Sequence, residues 1–152
     1  MRLVIQRVTE ASVSVDGKVV GSTGPGMMVL VGIETGDTTA DCDRLVAKTA
    51  ALRIFDDENG VMNKNIIDAD GNILAISQFT LLADSRKGNR PSYICAARPE
   101  EAVPLYDRYC AGLEQALGRP VARGIFGADM KVSLINNGPV TILLESRNGV
   151  IQ

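Results

Sequence analysis

Met27–Ile33 (MMVLVGI) limits the folds open to this chain more than any other stretch. The run is far too short to span a bilayer and too continuous for a strand with one wet face. Entered through the turn Gly24-Pro25-Gly26, it reads as a buried, central strand, so the fold is organised around a sheet. Its neighbours are legible on both sides. Leu3–Val8 is a first strand candidate, and Ala11–Val15 alternates apolar with polar residues, burying one face. Asp16-Gly17 joins that segment to Lys18–Gly21 as a hairpin, because both turn residues tolerate positive φ.

Two helices interrupt the strands. Asp37-Thr38-Thr39 offers an N-cap to a helix running to about Leu52, with Leu45, Val46, Thr49, Ala50 and Leu52 as its buried stripe. Apolar residues recur with helical period at 102, 105, 106, 109, 113, 116 and 117, between Pro99 in the first turn and Gly118 as the stop. Pro104 either kinks that helix or marks its true start. Ile73–Ile76 begins a buried strand expected to continue through Ser77-Gln78-Phe79-Thr80-Leu81-Leu82, and Val121–Ile125 and Val132–Ile135 alternate as further strands. With 152 residues and no repeat or linker, these elements predict one α+β domain of mostly antiparallel, barrel-like sheets and two main helices.

Composition decides the chemistry. There is no histidine, which removes Ser–His and Cys–His nucleophile pairs, the usual imidazole base and the commonest metal ligand. Cys42, Cys95 and Cys110 are odd in number and lack CxxC spacing, so neither a disulfide framework nor a zinc site is expected. Asp57, Glu58 and Asn59 lack the ligand spacing of a calcium loop and read as a solvated turn; no metal or cofactor is expected. A net charge of −2 argues against a protein that coats nucleic acid, while leaving room for a local basic patch. The first residues, MRLVIQR, lack the apolar core of a signal peptide, so a cytoplasmic protein without a membrane partner is expected.

Two polar segments end apolar runs: Ser77–Leu81 and Asn136-Asn137-Gly138-Pro139-Val140-Thr141. The second lies between the apolar runs Met130–Ile135 and Val140–Leu144, where Asn-Gly would ordinarily signal a tight hairpin. Pro139 would then hold the last turn position, with no N–H to close the turn. The carbonyls of Asn137 and Gly138 are left without local partners, which suits a site that grips a ligand by its backbone; an ordinary wider loop satisfies the same residues. Neither segment contains an acid, base or thiol. Such groups can stabilise an oxyanion, at about 3 kcal/mol per donor, but cannot supply a strong general base. A reaction on an activated ester fits them better than amide hydrolysis. Between the two segments, Arg86, Lys87 and Arg90 cluster around Gly88-Asn89, either as a solvated charge run or as a phosphate-binding patch.

Ser77-Gln78-Phe79-Thr80-Leu81 and Asn136–Thr141 resemble the two signature motifs of the D-aminoacyl-tRNA deacylase (D-tyrosyl-tRNA deacylase) family. Met1–Val13, Arg53-Ile54-Phe55, Met62-Asn63, Arg90-Pro91-Ser92 and Phe126-Gly127-Ala128-Asp129-Met130 match that family in order and spacing, so residues 1–146 form the implied domain and 147–152 a tail. The resemblance implies an enzyme of chiral proofreading in translation, hydrolysing the ester between tRNA's terminal adenosine and a D-amino acid, or glycine mischarged on a non-cognate tRNA. It also implies a homodimer, with a cis Gly138-Pro139 inserted into the partner's site, where its carbonyls hold the substrate amino group and exclude an L side chain. Arg7 would hold that loop, Asn136 and Thr141 would belong to it, and Met130 would form pocket wall. Ser77, Gln78, Phe79 and Thr80 would line the catalytic pocket, with the Phe79 N–H on the ribose 2′-OH that itself assists the attack. Thr80 then positions rather than attacks, and Arg86, Lys87 and Arg90 would serve tRNA. Asn137 stands where the family usually has Asp, which removes a charge from the loop. A non-catalytic nucleic-acid-binding module is the competing expectation; a small-molecule esterase is disfavoured by the missing triad.

Overall fold

β1 (Arg2–Val15) is the axis of the fold in the computed structural model, which describes residues 1–152. The two segments expected as separate strands, Leu3–Val8 and Ala11–Val15, are one strand of 14 residues; Thr9 and Glu10 interrupt the apolar pattern without ending the strand. One edge of β1 pairs antiparallel with β3 (Gly26–Gly32) and, further along, with β2 (Lys18–Thr23). Asp16 and Gly17, with φ of 49° and 75°, make the expected tight turn. The other edge pairs with β8 (Lys131–Arg147), from Arg2 opposite Glu145 to Ser14 opposite Lys131.

Beyond β3 the sheet is parallel. β6 (Asn72–Ser77) lies parallel to β3, and the short β7 (Ala122–Arg123) parallel to β6. Parallel neighbours require crossovers. The first runs through helix α1 (Thr39–Ala51) and a small hairpin of β4 (Phe55–Asp56) and β5 (Met62–Lys64); the second runs through α2 (Pro99–Leu117). The sheet is therefore mixed, in the order β7-β6-β3-β1-β8-β9, with β2 on β1; β9 (Val150–Ile151) folds the tail back onto β8. Two boundaries differ from expectation: the strand after Ile73 stops at Ser77 and becomes a 3-10 turn, Phe79–Leu82, and the strand expected over Val121–Ile125 keeps only two residues. α2 starts at Pro99, as its first-turn proline predicts, and continues through Pro104.

Alternation along the strands builds two cores. Leu3, Ile5, Met27, Val29, Val31, Ile73 and Ala75 face the helices, meeting Leu45, Tyr109 and Leu113. Val8, Ala11, Val13, Met28, Leu74 and Ile76 point to the opposite face, where Met130, Val132 and Leu134 join them. β1 thus changes the face it buries after Arg7, at the point where its register with β8 shifts on either side of Val8. Bulges bend strands, and this one curls the sheet into a half-barrel. No helix is long and apolar enough to cross a membrane.

Asp41 ties the chain's end to α1. Its buried carboxylate accepts hydrogen bonds from the Thr38 N–H (3.0 Å) and hydroxyl (3.1 Å), the Ser146 hydroxyl (2.8 Å) and the Gly149 N–H (2.8 Å). Burial alone would raise its pKa, but these donors outweigh it and bring the carboxyl down from 3.8 to about 2. A carboxyl whose folded pKa is depressed stabilises the fold above its unfolded pKa and loses that contribution as pH falls. Acid titration of stability should therefore remove about 2 kcal/mol between roughly pH 4 and pH 2 in the native chain, and less in Asp41→Asn, as urea midpoints across that range would show.

Candidate active site

The parallel strands β3 and β6 end beside one another, and their ends open onto a cavity of about 450 Å³. Val31, Ile33 and Ile76 form its floor, Ala96, Ala97, Pro99 and Ala102 its wall at the start of α2, and Phe126, Met130 and Val132 the side toward β8. Ser77, Gln78 and Phe79 line the same cavity. The Gln78 N–H donates to the Val31 carbonyl (2.8 Å), extending the β3–β6 ladder by one bond before the chain turns. A 3-10 turn leaves its first N–H groups without acceptors inside the turn, and Phe79, its first residue, is among those lining the cavity. Thr80 is outside the lining residues, and its hydroxyl accepts a hydrogen bond from the Gln78 side-chain amide.

Asn136–Thr141 belongs to no hairpin. The two apolar runs around it are one 17-residue strand, β8, because both flanks pair with the same strand, β1. Gln6 faces Thr141 and Val8 faces Asn136, so residues 137–140 are excluded from the ladder and bulge out opposite Arg7. The bulge is tied at its neck by Asn136. Its side-chain amide donates to Gln6 Oε1 (2.9 Å) and Thr141 Oγ1 (3.3 Å), and its oxygen accepts from the Val140 N–H (2.9 Å). Gly138 has φ of +133° and its peptide bond to Pro139 is cis; both residues are exposed.

Arg7 secures the projecting segment. Only 8% exposed, it donates from Nε to the Asn137 carbonyl (2.9 Å) and from Nη1 to the Ile54 carbonyl (2.8 Å) and Asp56 Oδ1 (3.0 Å). The Asn137 carbonyl has no local partner but is held by Arg7 from the paired strand, whereas no side-chain donor reaches the Gly138 carbonyl. Because Arg7 contacts the main chain of residue 137, that contact is the same for Asn as for Asp. Asp56 went unnoticed in the sequence and Ile54 figured only in a family match, since nothing local relates either to a residue more than forty positions away.

The two motifs do not meet within one chain. Arg7, Asn136, Gly138, Pro139 and Thr141 are all absent from the cavity wall. Val132, on that wall, is four residues along β8 from Asn136 at the neck of the bulge, or about 13 Å at strand rise. The small residues Ala96, Ala97 and Ala102 and the ring of Phe126 complete the cavity; the sequence signalled only that Phe126 lies in a family match.

The cavity is poor in titratable groups. Asp129 is its one ionisable side chain, and it is paired with Lys131 Nζ (2.9 Å). The thiols of the helices are no nucleophiles: burial pushes Cys42 up to about 12 and Cys110 to about 11. Outside the mouth, the loop from Asp84 to Ser92 is closed by a reciprocal pair of backbone bonds at 2.8 Å. Within it Arg86 grips Asp84 with two bonds, Nε to Oδ1 (2.9 Å) and Nη2 to Oδ2 (2.7 Å), while Lys87 and Arg90 form no ion pair.

The family model described as D-Tyr-tRNA(Tyr) deacylase matches residues 4–145. The D-aminoacyl-tRNA deacylase of Bacteroides thetaiotaomicron is 57% identical over 148 residues, covering 97% of this chain and 99% of that protein. The corresponding protein of Bacteroides fragilis is 59% identical with the same coverage. A solved structure described as c-Myc DNA Unwinding Element Binding Protein superposes with a TM-score of 0.90 at 40% identity, over 97% of this chain and 99% of its own. A probable eukaryotic D-amino acid tRNA deacylase shares the fold, with a TM-score of 0.80 at 19% identity over 93% of this chain and 97% of its own. A match to the family from the first strand to the end of β8, joined to relatives this similar over their whole length, makes the chain a member of the D-aminoacyl-tRNA deacylase family of hydrolases.

Proposed function

We propose that the cavity receives the aminoacylated terminal adenosine of tRNA and that water cleaves its ester, releasing a free D-amino acid, or glycine from a non-cognate tRNA. The observation that carries this reading is a nucleoside-sized, mostly apolar cavity lined on its polar side by Ser77 and Gln78, beside Phe79, with no unpaired acid or base. The chemistry must then come from the substrate. The Phe79 N–H holds the ribose 2′-OH, which directs a water onto the neighbouring ester carbonyl. Water's oxygen bonds the carbonyl carbon, the C–O bond to the ribose breaks, the ribose oxygen takes the proton that the water gives up, and the free acid leaves. The Gln78 amide, held on Thr80, fixes the turn that presents this N–H.

Chiral selection, in this proposal, comes from a second copy of the chain. The bulge at Gly138-Pro139 is exposed, tied at its neck and by Arg7, and takes no part in its own cavity wall, so it serves its partner's cavity in a homodimer. There the Gly138 carbonyl accepts from the substrate's amino group, and the bulge occupies the space of an L side chain. Such an enzyme acts where charged tRNA is used, in the cytoplasm.

Incubation with D-tyrosyl-tRNA and L-tyrosyl-tRNA, where spontaneous hydrolysis is slow, tests the reading. Rapid release from the D ester alone is expected; equal rates, or binding without turnover, would refute it and favour a nucleic-acid-binding module. Thr80→Ala should keep kcat within about tenfold of the native value, whereas loss of a true nucleophile costs on the order of a millionfold. A folded but inactive Thr80→Ala protein would return Thr80 to the role of nucleophile.

A further inference from the structure

At the rim of the cavity lies a pair of aromatic rings that the hydrolysis itself does not require. The rings of Phe79 and Tyr93 meet edge to face, with centroids 5.2 Å apart and planes at 73°. Phe79 is 58% exposed, Tyr93 40%, and the neighbouring Ile94 86%. Phe79 stands on the cavity rim, and the chain passes directly from Tyr93 to the wall residues Ala96 and Ala97. On the other side Tyr93 follows the loop of residues 84–92, which carries one acid and three bases, a charge of +2 in a chain whose net charge is −2. With Arg86 engaged by Asp84, the free cations of that loop are Lys87 and Arg90.

We propose that Tyr93, braced by Phe79, is a stacking platform for the base of the nucleotide that precedes the terminal adenosine, and that Lys87 and Arg90 hold the phosphates leading up to it. This rests on the reading of the cavity as the terminal adenosine site. An exposed aromatic beside a cationic loop is the combination by which proteins hold single-stranded nucleic acid: the base stacks, the backbone meets the charge, and no particular base is required. The unpaired 3′ end of tRNA is single-stranded, and its last nucleoside must enter the cavity past Phe79. The order cavity, Phe79, Tyr93, basic loop therefore gives the strand a direction. Charge also separates this occupant from a protein partner with an apolar face, which would leave Lys87 and Arg90 unanswered.

Three substrates test the platform: D-tyrosyl-tRNA, a D-tyrosyl-CCA trinucleotide and the 3′ D-tyrosyl ester of adenosine. The native chain should hydrolyse all three, with kcat/KM for the trinucleotide about tenfold above that for the nucleoside ester. Tyr93→Ala should erase that advantage and cost about tenfold on tRNA, while leaving the nucleoside ester unchanged; Tyr93→Phe should behave as the native chain. Replacing both Lys87 and Arg90 by Ala should reduce the salt dependence of tRNA binding by about 1.4 in the slope of log K against log salt, the single-strand value for two phosphate contacts, whereas Arg86→Ala should not. A Tyr93→Ala protein impaired equally on the nucleoside ester, impaired on none, or altered in oligomeric state would overturn the platform. Hydrolysis of D-tyrosyl-tRNA by the native chain keeps the deacylase reading separate, since its absence would refute that reading first, whereas a native chain that cleaves the tRNA but shows none of the Tyr93 effects refutes the platform alone.

Discussion

Deleting Gly138 and Pro139 together should leave a folded protein that hydrolyses D- and L-tyrosyl-tRNA at comparable rates. The fold should survive because residues 137–140 take no part in the ladder between β1 and β8, which is paired on both sides at Gln6–Thr141 and Val8–Asn136. The deletion shortens an exposed excursion instead of a strand, and Arg7 keeps its bonds to Ile54 and Asp56. What is lost is the element proposed to reach into the partner's cavity. If the bulge fills the space of an L side chain, its removal admits that side chain, and the D-to-L ratio of kcat/KM should fall by on the order of a hundredfold or more. Gly138→Ala makes a milder version of the same change. A Cβ there would lie 2.8 Å from Val140 Cγ2 and 3.0 Å from Arg7 Nη2, on a backbone at φ +133° that L residues rarely adopt. The bulge must shift, so discrimination should weaken while the melting temperature changes little. A folded deletion variant with the native ratio would remove chiral selection from this segment.

Gly26→Ala should be the most damaging single substitution for stability. Gly26 opens β3 at φ +155°, and an added Cβ would fall 1.9 Å from the Asn72 carbonyl oxygen and 2.6 Å from its nitrogen. These are backbone atoms of the paired strand and cannot swing aside. Asn72 is also the first residue of β6, and its N–H donates to the Pro25 carbonyl at 3.0 Å. Relieving the clash means parting β3 from β6 where their parallel pairing starts, with Met27, Met28, Ile73 and Leu74 buried immediately beyond. A cost of about 4 kcal/mol or more is expected, against a total margin of roughly 5–15 kcal/mol for a domain. Gly24→Ala is the control: a Cβ there meets nothing within 4 Å. Urea denaturation of the two variants should separate them by several kcal/mol, and a Gly26→Ala protein within about 1 kcal/mol of the native chain would contradict the packing described here. Activity should fall with stability, because β6 delivers Ser77 and Gln78 to the cavity.

Local rules were enough for much of the architecture. The central strand at Met27, the Asp16-Gly17 turn, the N-cap of α1 and the limits of α2 each follow from periodicity or terminal residues within a few positions of one another. The chemistry of exclusion was equally plain: a chain without histidine, whose two polar motifs lack acid, base and thiol, cannot carry a conventional hydrolytic triad. Failures arose where distant segments decide. The Gly-Pro stretch reads as a break between two strands, yet β1 pairs with both flanks and holds them as one, which no local pattern reveals. Likewise the residues after Ser77 are apolar enough for a strand, but the chain leaves the ladder beside β3's end and turns to line a cavity.

By itself, then, the sequence determined which strands carry the apolar core, where the helices begin and end, and which kinds of catalysis are out of reach, because those depend on side-chain type and short-range spacing. Tertiary structure alone decided that Arg7 holds the Asn137 carbonyl while braced by Ile54 and Asp56, that Gly26 has no room for a side chain, and that the two motifs stand apart within one chain. Each of these is a contact between residues far apart in sequence, fixed by the register of strands and the bend of a bulge, and the physics of such contacts becomes visible only when the sheet has closed.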